Sequence, residues 1–197
     1  MTVKSTPTSS GLEKRGRGRP SSRDSILDAA QNLALKQGAG SLSLDGVAKE
    51  AGVSKGGLMY NFPTKKALLL AMVDRVVEHN RAAHQAEIAR LPEKPGRNLL
   101  AYVLNSTREL DTDDRLSTSL LAELVGDPEL RVSTAEYFAD RFKLLTSDRS
   151  VTEAAIIHLA TEGLWFLELL GISPFSGPQR QQIVAKLLKL ADEASAN

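Results

Sequence analysis

The side chains best placed to do chemistry in this chain lie in one short run, Ser54-Lys55-Gly56-Gly57-Leu58-Met59-Tyr60, followed after Pro63 by Thr64-Lys65-Lys66. Glycine inside a helix costs about 1 kcal/mol against alanine, so the pair Gly56 and Gly57 needs a reason other than local stability. That reason is close approach, either to a ligand or to a second helix of the same protein. A helix start with free N–H groups, a capping Ser54, the Lys55 ammonium and no bulk in its first turn suits a phosphate backbone and the floor of a DNA major groove. Lys65 and Lys66 stand where the helix dipole is already positive, so either an external phosphate offsets them or they are two solvated lysines.

Two other clusters invite a catalytic reading. Asp111-Thr112-Asp113-Asp114 superficially resembles an acidic magnesium site, but it lies between two predicted helices and reads more simply as a solvated loop that caps the second. His79 and His84 are spaced poorly for a shared metal on a helix and are read as surface or core residues. There is no cysteine, hence no thiolate nucleophile, disulfide or zinc finger. Metalloprotease, hydrolase, P-loop and dinucleotide fingerprints are missing too. A non-enzyme without cofactor or metal is expected, with an all-α metal-dependent enzyme as the rival class.

The elements that must position the basic run are helical. Leu44, Val47, Ala48 and Ala51 fall at i, i+3, i+4 and i+7, giving a short amphipathic helix that Ser43 caps. Gly52 then tolerates positive φ, Val53 plugs the corner and Ser54 caps the next helix, which makes a helix-turn-helix. A preceding helix from about 22 to 37 carries the stripe Ile26, Leu27, Ala30, Leu33 and Ala34 and ends at Gly38, and Leu58 with Phe62 anchors the second helix of the corner to it. From Lys65 to about Leu91 a helix roughly 40 Å long leads into the rest of the chain and can act as a lever. Five more helices follow, at about 97–109, 116–125, 128–145, 150–170 and 178–194, the fourth opening on a Ser150-x-x-Glu153 capping box. The fold class is all-α, with about nine helices.

Charge is divided along the chain. Residues 1–66 hold 11 Lys and Arg against 5 Asp and Glu, net +6, whereas 67–197 hold 14 against 19, net −5. A basic front third on an acidic remainder is the footprint of a DNA-contacting head on a body with another task. The N-terminus lacks the apolar core of a signal peptide, and the most apolar run, 154–172, carries His158, Glu162 and Glu168, which predicts a buried helix and not a membrane span. A cytoplasmic protein is expected.

The run VAKEAGVSKGGLMYNFPTKKAL, with the helix and glycine before it, resembles the DNA-binding domain of the TetR/AcrR family of bacterial transcriptional regulators over about 23–73. The resemblance implies DNA contacts from Ser43, Ser54, Lys55, Gly57, Met59, Tyr60 and Lys65, with Tyr60 and Lys65 on phosphate and Lys55 on phosphate or a base edge. Family members often carry tyrosine at Met59, a small polar residue at Gly57 and His or Tyr at Asn61, departures that bear on the operator sequence. The resemblance divides the chain into a basic arm at 1–20, a helix-turn-helix domain at 21–66 and an effector-binding and dimerisation domain at 67–197.

Upstream of the head, Lys14-Arg15-Gly16-Arg17-Gly18-Arg19-Pro20 follows a Ser-, Thr- and Pro-rich start expected to be disordered. Arg17 and Arg19 in this arm either lie in an A·T-rich minor groove, as in an AT-hook, or bind phosphate without specificity. In the body, Ile156, Ala160, Gly163, Leu164 and Leu167 make one apolar face, and Ile183, Leu187 and Leu190 another. Either both close a monomeric bundle, or, as the resemblance implies, they pair with their copies in a homodimer. His158, Thr161, Glu162 and Trp165 lie opposite at helical spacing and line either a small-molecule effector pocket or an ordinary core. The function expected is a homodimeric repressor that binds a near-palindromic DNA operator and is released by an effector. The alternative is a ligand-independent DNA-binding protein with the same head.

Overall fold

The computed structural model describes residues 21–147 and 149–193, and every regular element in that range is helical. The α-helices are α1 (Ser22–Gln37), α2 (Leu44–Glu50), α3 (Lys55–Asn61), α4 (Lys65–Arg90), α5 (Arg97–Ser106), α6 (Thr112–Gly126), α7 (Pro128–Leu145), α8 (Val151–Leu169) and α9 (Gly177–Glu193), with one 3₁₀ turn at Ala39–Ser41. The arm that carries Arg17 and Arg19 lies outside the described residues.

Side-chain caps set the helix starts of the head. Ser43 Oγ accepts from the Gly46 N–H at 3.1 Å, Ser54 Oγ from Gly57 at 3.0 Å and Thr64 Oγ1 from Ala67 at 3.0 Å, each satisfying an orphan donor of the first turn. Between α2 and α3 the chain turns at Gly52, whose φ of 65° lies in the left-handed region.

Two apolar clusters hold the molecule. The first joins Ile26 and Ala30 of α1, Val47 of α2, Leu58 and Phe62 around α3 and Leu68 and Met72 of α4 to Leu116 and Leu120 of α6 and Leu130 of α7. The second joins Leu99, Tyr102 and Val103 of α5 to Leu145 of α7, Ala154 and Ile157 of α8 and Leu187 and Ala191 of α9. Helix α4 runs past both: its first turns are buried among α1 and α3, while His84 near its far end hydrogen-bonds the Asn98 carbonyl of α5 at 3.0 Å. The head is therefore also fixed to α6 and α7. Arg75 pairs with Asp28 of α1 at 2.6 Å, and Ser119 of α6 accepts the Ala39 N–H at 2.8 Å while donating to the Ala34 carbonyl at 3.1 Å.

Several expectations are corrected. Helix α5 ends at Ser106 and α6 begins at Thr112, earlier than predicted, because Asp111 accepts the Asp113 and Asp114 N–H groups while Asp114 accepts that of Asp111. The stretch does cap α6, through Asp111, but it forms the cap and first turn of the helix and not a wholly solvated loop: Asp111 and Thr112 are exposed, while Asp114 is only 6% exposed. The box predicted at Ser150 does not form, since that side chain makes no capping bond. Leu164 and Leu187, expected on a free interface face, are 4% and 5% exposed within the single chain. Helix α8 is turned so that Ala154, Ile157, Thr161 and Leu164 face the body. Its exposed side is the neighbouring stripe of Ile156, Leu159, Ala160, Gly163, Phe166 and Leu170, of which Leu159, Gly163 and Phe166 also border the cavity of the body.

Candidate nucleic-acid interface and ligand cavity

Helix α3 is held by one side and bare on the other. Leu58 is fully buried and Phe62 nearly so, with the Arg23 guanidinium 5.2 Å from the Phe62 ring centroid. Outward, Tyr60 is 89% exposed and Met59 43%, and Ser43, Ser54, Lys55 and Gly57 are exposed beside them. A Cβ on Gly56 would meet nothing within 4 Å, and one on Gly57 would meet only its own cap, Ser54 Oγ, at 3.2 Å. Neither glycine is needed for packing between helices of this chain. Close approach to something outside it is the reading that is left.

The lysines divide differently. Lys55 pairs with Asp45 at 3.0 Å, both well exposed, a contact worth little in water and readily exchanged for phosphate. Lys65 is half-buried and donates to the Gly40 carbonyl. Lys66, for which the sequence offered an external phosphate or plain solvation, bridges Asp127 at 3.2 Å and Glu129 at 2.8 Å at the start of α7. Those carboxylates, the Glu129 hydrogen bond foremost, raise its pKa. The anion that offsets the α4 dipole at Lys66 is thus internal.

The body holds a cavity of about 490 Å³ between α4, α5, α6, α7 and α8, open to solvent beside the exposed Leu159 and Phe166 of α8 and within the range of small-molecule sites. Val73, Val76 and Val77 of α4, Leu120, Leu121 and Leu124 of α6 and Phe138 of α7 give it apolar walls. Its charged groups fall into two knots, beside which Asn80, His84, Asn105, Ser106, Ser117 and Thr134 also line it. In one, Arg141 donates to Glu162 Oε1 at 2.7 Å, the Tyr102 hydroxyl donates to the same oxygen at 2.7 Å, and the guanidinium lies 4.5 to 5.1 Å from the rings of Phe138, Tyr137 and Tyr102. Burial, and then the Glu162 charge, push the Tyr102 phenol far above its ordinary value. In the other, Asp114 accepts from Arg108 at 2.6 Å and from the Trp165 indole at 2.8 Å. Burial acts to raise the Asp114 pKa, but hydrogen bonds from the Asp111 N–H, Arg108 and Trp165 outweigh it and hold the carboxyl below its usual value.

Of the four residues the sequence offered for a pocket, Glu162 and Trp165 line this cavity. Thr161 is fully buried and donates to the Ile157 carbonyl at 2.8 Å, and His158 is wedged between Tyr102 and Phe142, with ring centroids 5.2 and 5.8 Å away. Neither lines it. Sequence reasoning missed Arg141, Tyr137 and Tyr102; the signal for the first two was an arginine one helical turn after a tyrosine on an otherwise apolar face.

Together these features define a class: a helix-turn-helix head with an exposed, side-chain-poor second helix, carried on an all-helical body that holds a ligand-sized cavity. The chain belongs to the TetR family, matching the family model described as bacterial regulatory proteins, tetR family, over residues 26–72 and the one described as tetracyclin repressor-like, C-terminal domain, over 96–192. It is 32% identical over 108 residues to the HTH-type transcriptional regulator CymR of Pseudomonas putida, a stretch covering 54% of this chain and 52% of that protein. It is 36% identical over 88 residues to EthR of Mycobacterium tuberculosis, covering 43% and 41% respectively. The aligned stretches thus span about half or less of these relatives. Among solved structures, a TetR-family member from Streptomyces coelicolor A3 superposes with a TM-score of 0.68 at 24% identity, covering 87% of this chain and 98% of that one. The multidrug binding protein EbrR complexed with imidazole does so at 0.67 and 23%, covering 91% and 97%. These likenesses establish the fold. No described helix is long and apolar enough to cross a membrane.

Proposed function

We propose that this protein is a cytoplasmic transcriptional repressor that binds a near-palindromic operator as a homodimer and leaves it when a small molecule fills the body cavity. The observation that carries the reading is α3 itself, buried through Leu58, bare at Gly56 and Gly57 and presenting Lys55, Met59 and Tyr60 outward in a TetR-family head. Lys55 and Tyr60 engage phosphate, Lys55 reaching a base edge where the groove permits, and Ser43, Ser54, Gly57, Met59 and Lys65 complete the contact face. Release follows from the joints already described. Helices α4 and α6 both line the cavity and both pack into the cluster that holds the head, so a ligand that spreads them changes how the two heads of a dimer are spaced. A coupling of about 1 to 3 kcal/mol changes operator affinity about 5- to 150-fold. The arginine arm adds contacts beside the operator, and nothing in the reading requires catalysis.

Dimerisation is supported by the outward stripe of α8, where Ile156 is 60% and Leu159 69% exposed beside Ala160, Gly163, Phe166 and Leu170. A continuous apolar face of that kind marks a surface that a partner covers. The test is selection of binding sites from a random duplex pool with the purified chain. An inverted repeat should be enriched, its half-sites about one helical turn apart; a pool that stays random at low salt contradicts the proposal.

A further inference from the structure

The cavity's charged groups say what kind of molecule it accepts. Four ionic side chains line it, Arg108, Asp114, Arg141 and Glu162, and they form two pairs of opposite sign at 2.6 and 2.7 Å. Asp114 is saturated, with Oδ2 accepting from Arg108 and the Asp111 N–H and Oδ1 from Trp165. Arg141 is covered by aromatic rings and bonded to Glu162 and the Tyr137 hydroxyl. Each of these charges has a counter-charge, and the one donor among them left buried without a hydrogen-bond partner is the Arg141 Nε–H.

We propose that the effector of this cavity is an uncharged, mainly apolar molecule with one hydrogen-bond donor end. This deepens the effector reading above and rests on it. A carboxylate or ammonium would enter a mainly apolar chamber whose own charges are already neutralised, and it would either lack a counter-ion there or have to break an existing pair, and both are costly. A hydroxyl or amide N–H escapes that cost and has a partner waiting. Glu162 receives both of its hydrogen bonds on Oε1, from Tyr102 and Arg141, and Oε2 receives none from any described residue. The donor end therefore seats at Glu162 Oε2, and the apolar remainder lies along the valines of α4 and the leucines of α6.

Trp165, the one tryptophan of the chain, lines the cavity and reports occupancy by its fluorescence. The full chain is titrated with three non-absorbing probes of one skeleton, 4-cyclohexylbutanol, 4-cyclohexylbutanoate and 4-cyclohexylbutylammonium, following Trp165 emission and binding heat. The alcohol should bind at least about tenfold tighter than either ion. In Glu162→Gln, which leaves Arg141 without its counter-ion, the carboxylate should gain at least about tenfold relative to the alcohol; Arg141→Met, the mirror variant, should favour the ammonium likewise. Circular dichroism establishes that each variant is folded, and the wild-type comparison stands if one is not. A charged probe that binds the wild type as tightly as the alcohol overturns the proposal and leaves the effector reading intact. Unchanged emission and no binding heat with all three overturns the effector reading itself.

Discussion

Tyr60 and Lys55 owe their proposed role to what surrounds them: a bulky phenol 89% exposed and a lysine held only by an exposed aspartate, on a helix whose other side is fully packed. Replacing Lys55 by Ala should leave the melting temperature within a degree or two, because exposed pairs contribute little. It should weaken binding to every duplex by a similar factor and lower the salt slope by about one unit per protomer if the contact is to phosphate. Loss confined to one operator base pair would assign Lys55 to a base edge, and an unchanged affinity would remove it from the interface. His84 and His158 make a second residue-scale prediction. Burial, the largest cause for both, holds each imidazole below its ordinary 6.5. Between the folded and unfolded values the unfolded chain binds protons that the folded chain does not, so their stability is full above about pH 6.5 and is lost as pH falls through that window. Melting temperature should drop between about pH 7.5 and 5.5, and less so in His158→Phe; equal drops would clear His158 of any part. The basic run was legible in the sequence because exposure of a short helix follows from its own apolar spacing. Arg141 was not, because its surroundings come from α5, α7 and α8, which no local pattern brings together.

At the scale of elements, Ser119 is the most specific joint between head and body. Ala39 is fully buried and its N–H has Ser119 Oγ as partner, while the same hydroxyl donates to the last turn of α1. Ser119→Ala leaves a buried donor unsatisfied and should cost about 1 to 3 kcal/mol, read as a lower urea midpoint. It should also reduce the factor by which a cavity ligand weakens operator binding. Unchanged stability would mean that water or a shifted turn replaces the hydroxyl. The helices of the head could be placed from sequence almost to the residue because Ser43, Ser54, Thr64 and Gly52 mark their ends with local chemistry. The start of α6 was misplaced for a related reason. Asp111 and Asp114 read as solvated acids until Arg108 and the distant Trp165 are seen to hold Asp114, and only the fold supplies the second partner.

At the scale of the molecule, the spacing of Ile156, Ala160, Gly163, Leu164 and Leu167 pointed to one apolar face on α8; Ile156, Ala160 and Gly163 lie on its exposed side, whereas Leu164 is buried in the body and Leu167 is half-buried. Two stripes of α8 are apolar, one for the body and one facing outward, and the sequence alone does not say which is which. The fold assigns Leu164 inward, so Leu164→Arg should unfold the chain by burying an unpaired charge. Ile156→Arg and Leu159→Arg on the outward stripe should give folded monomers in sedimentation with native circular dichroism, retaining weak non-specific DNA binding and losing specific binding. A dimer that persists in both would move the interface away from α8. The outcomes that concern specific DNA binding depend on one claim, that two copies of this head read one operator. DNase I footprinting of the purified chain across the DNA beside its own gene tests it most directly. Two heads on one operator should leave a protected near-palindrome whose half-sites are centred about 34 to 36 Å apart or a multiple of that. Uniform protection without a boundary, at concentrations that coat the fragment, would contradict it.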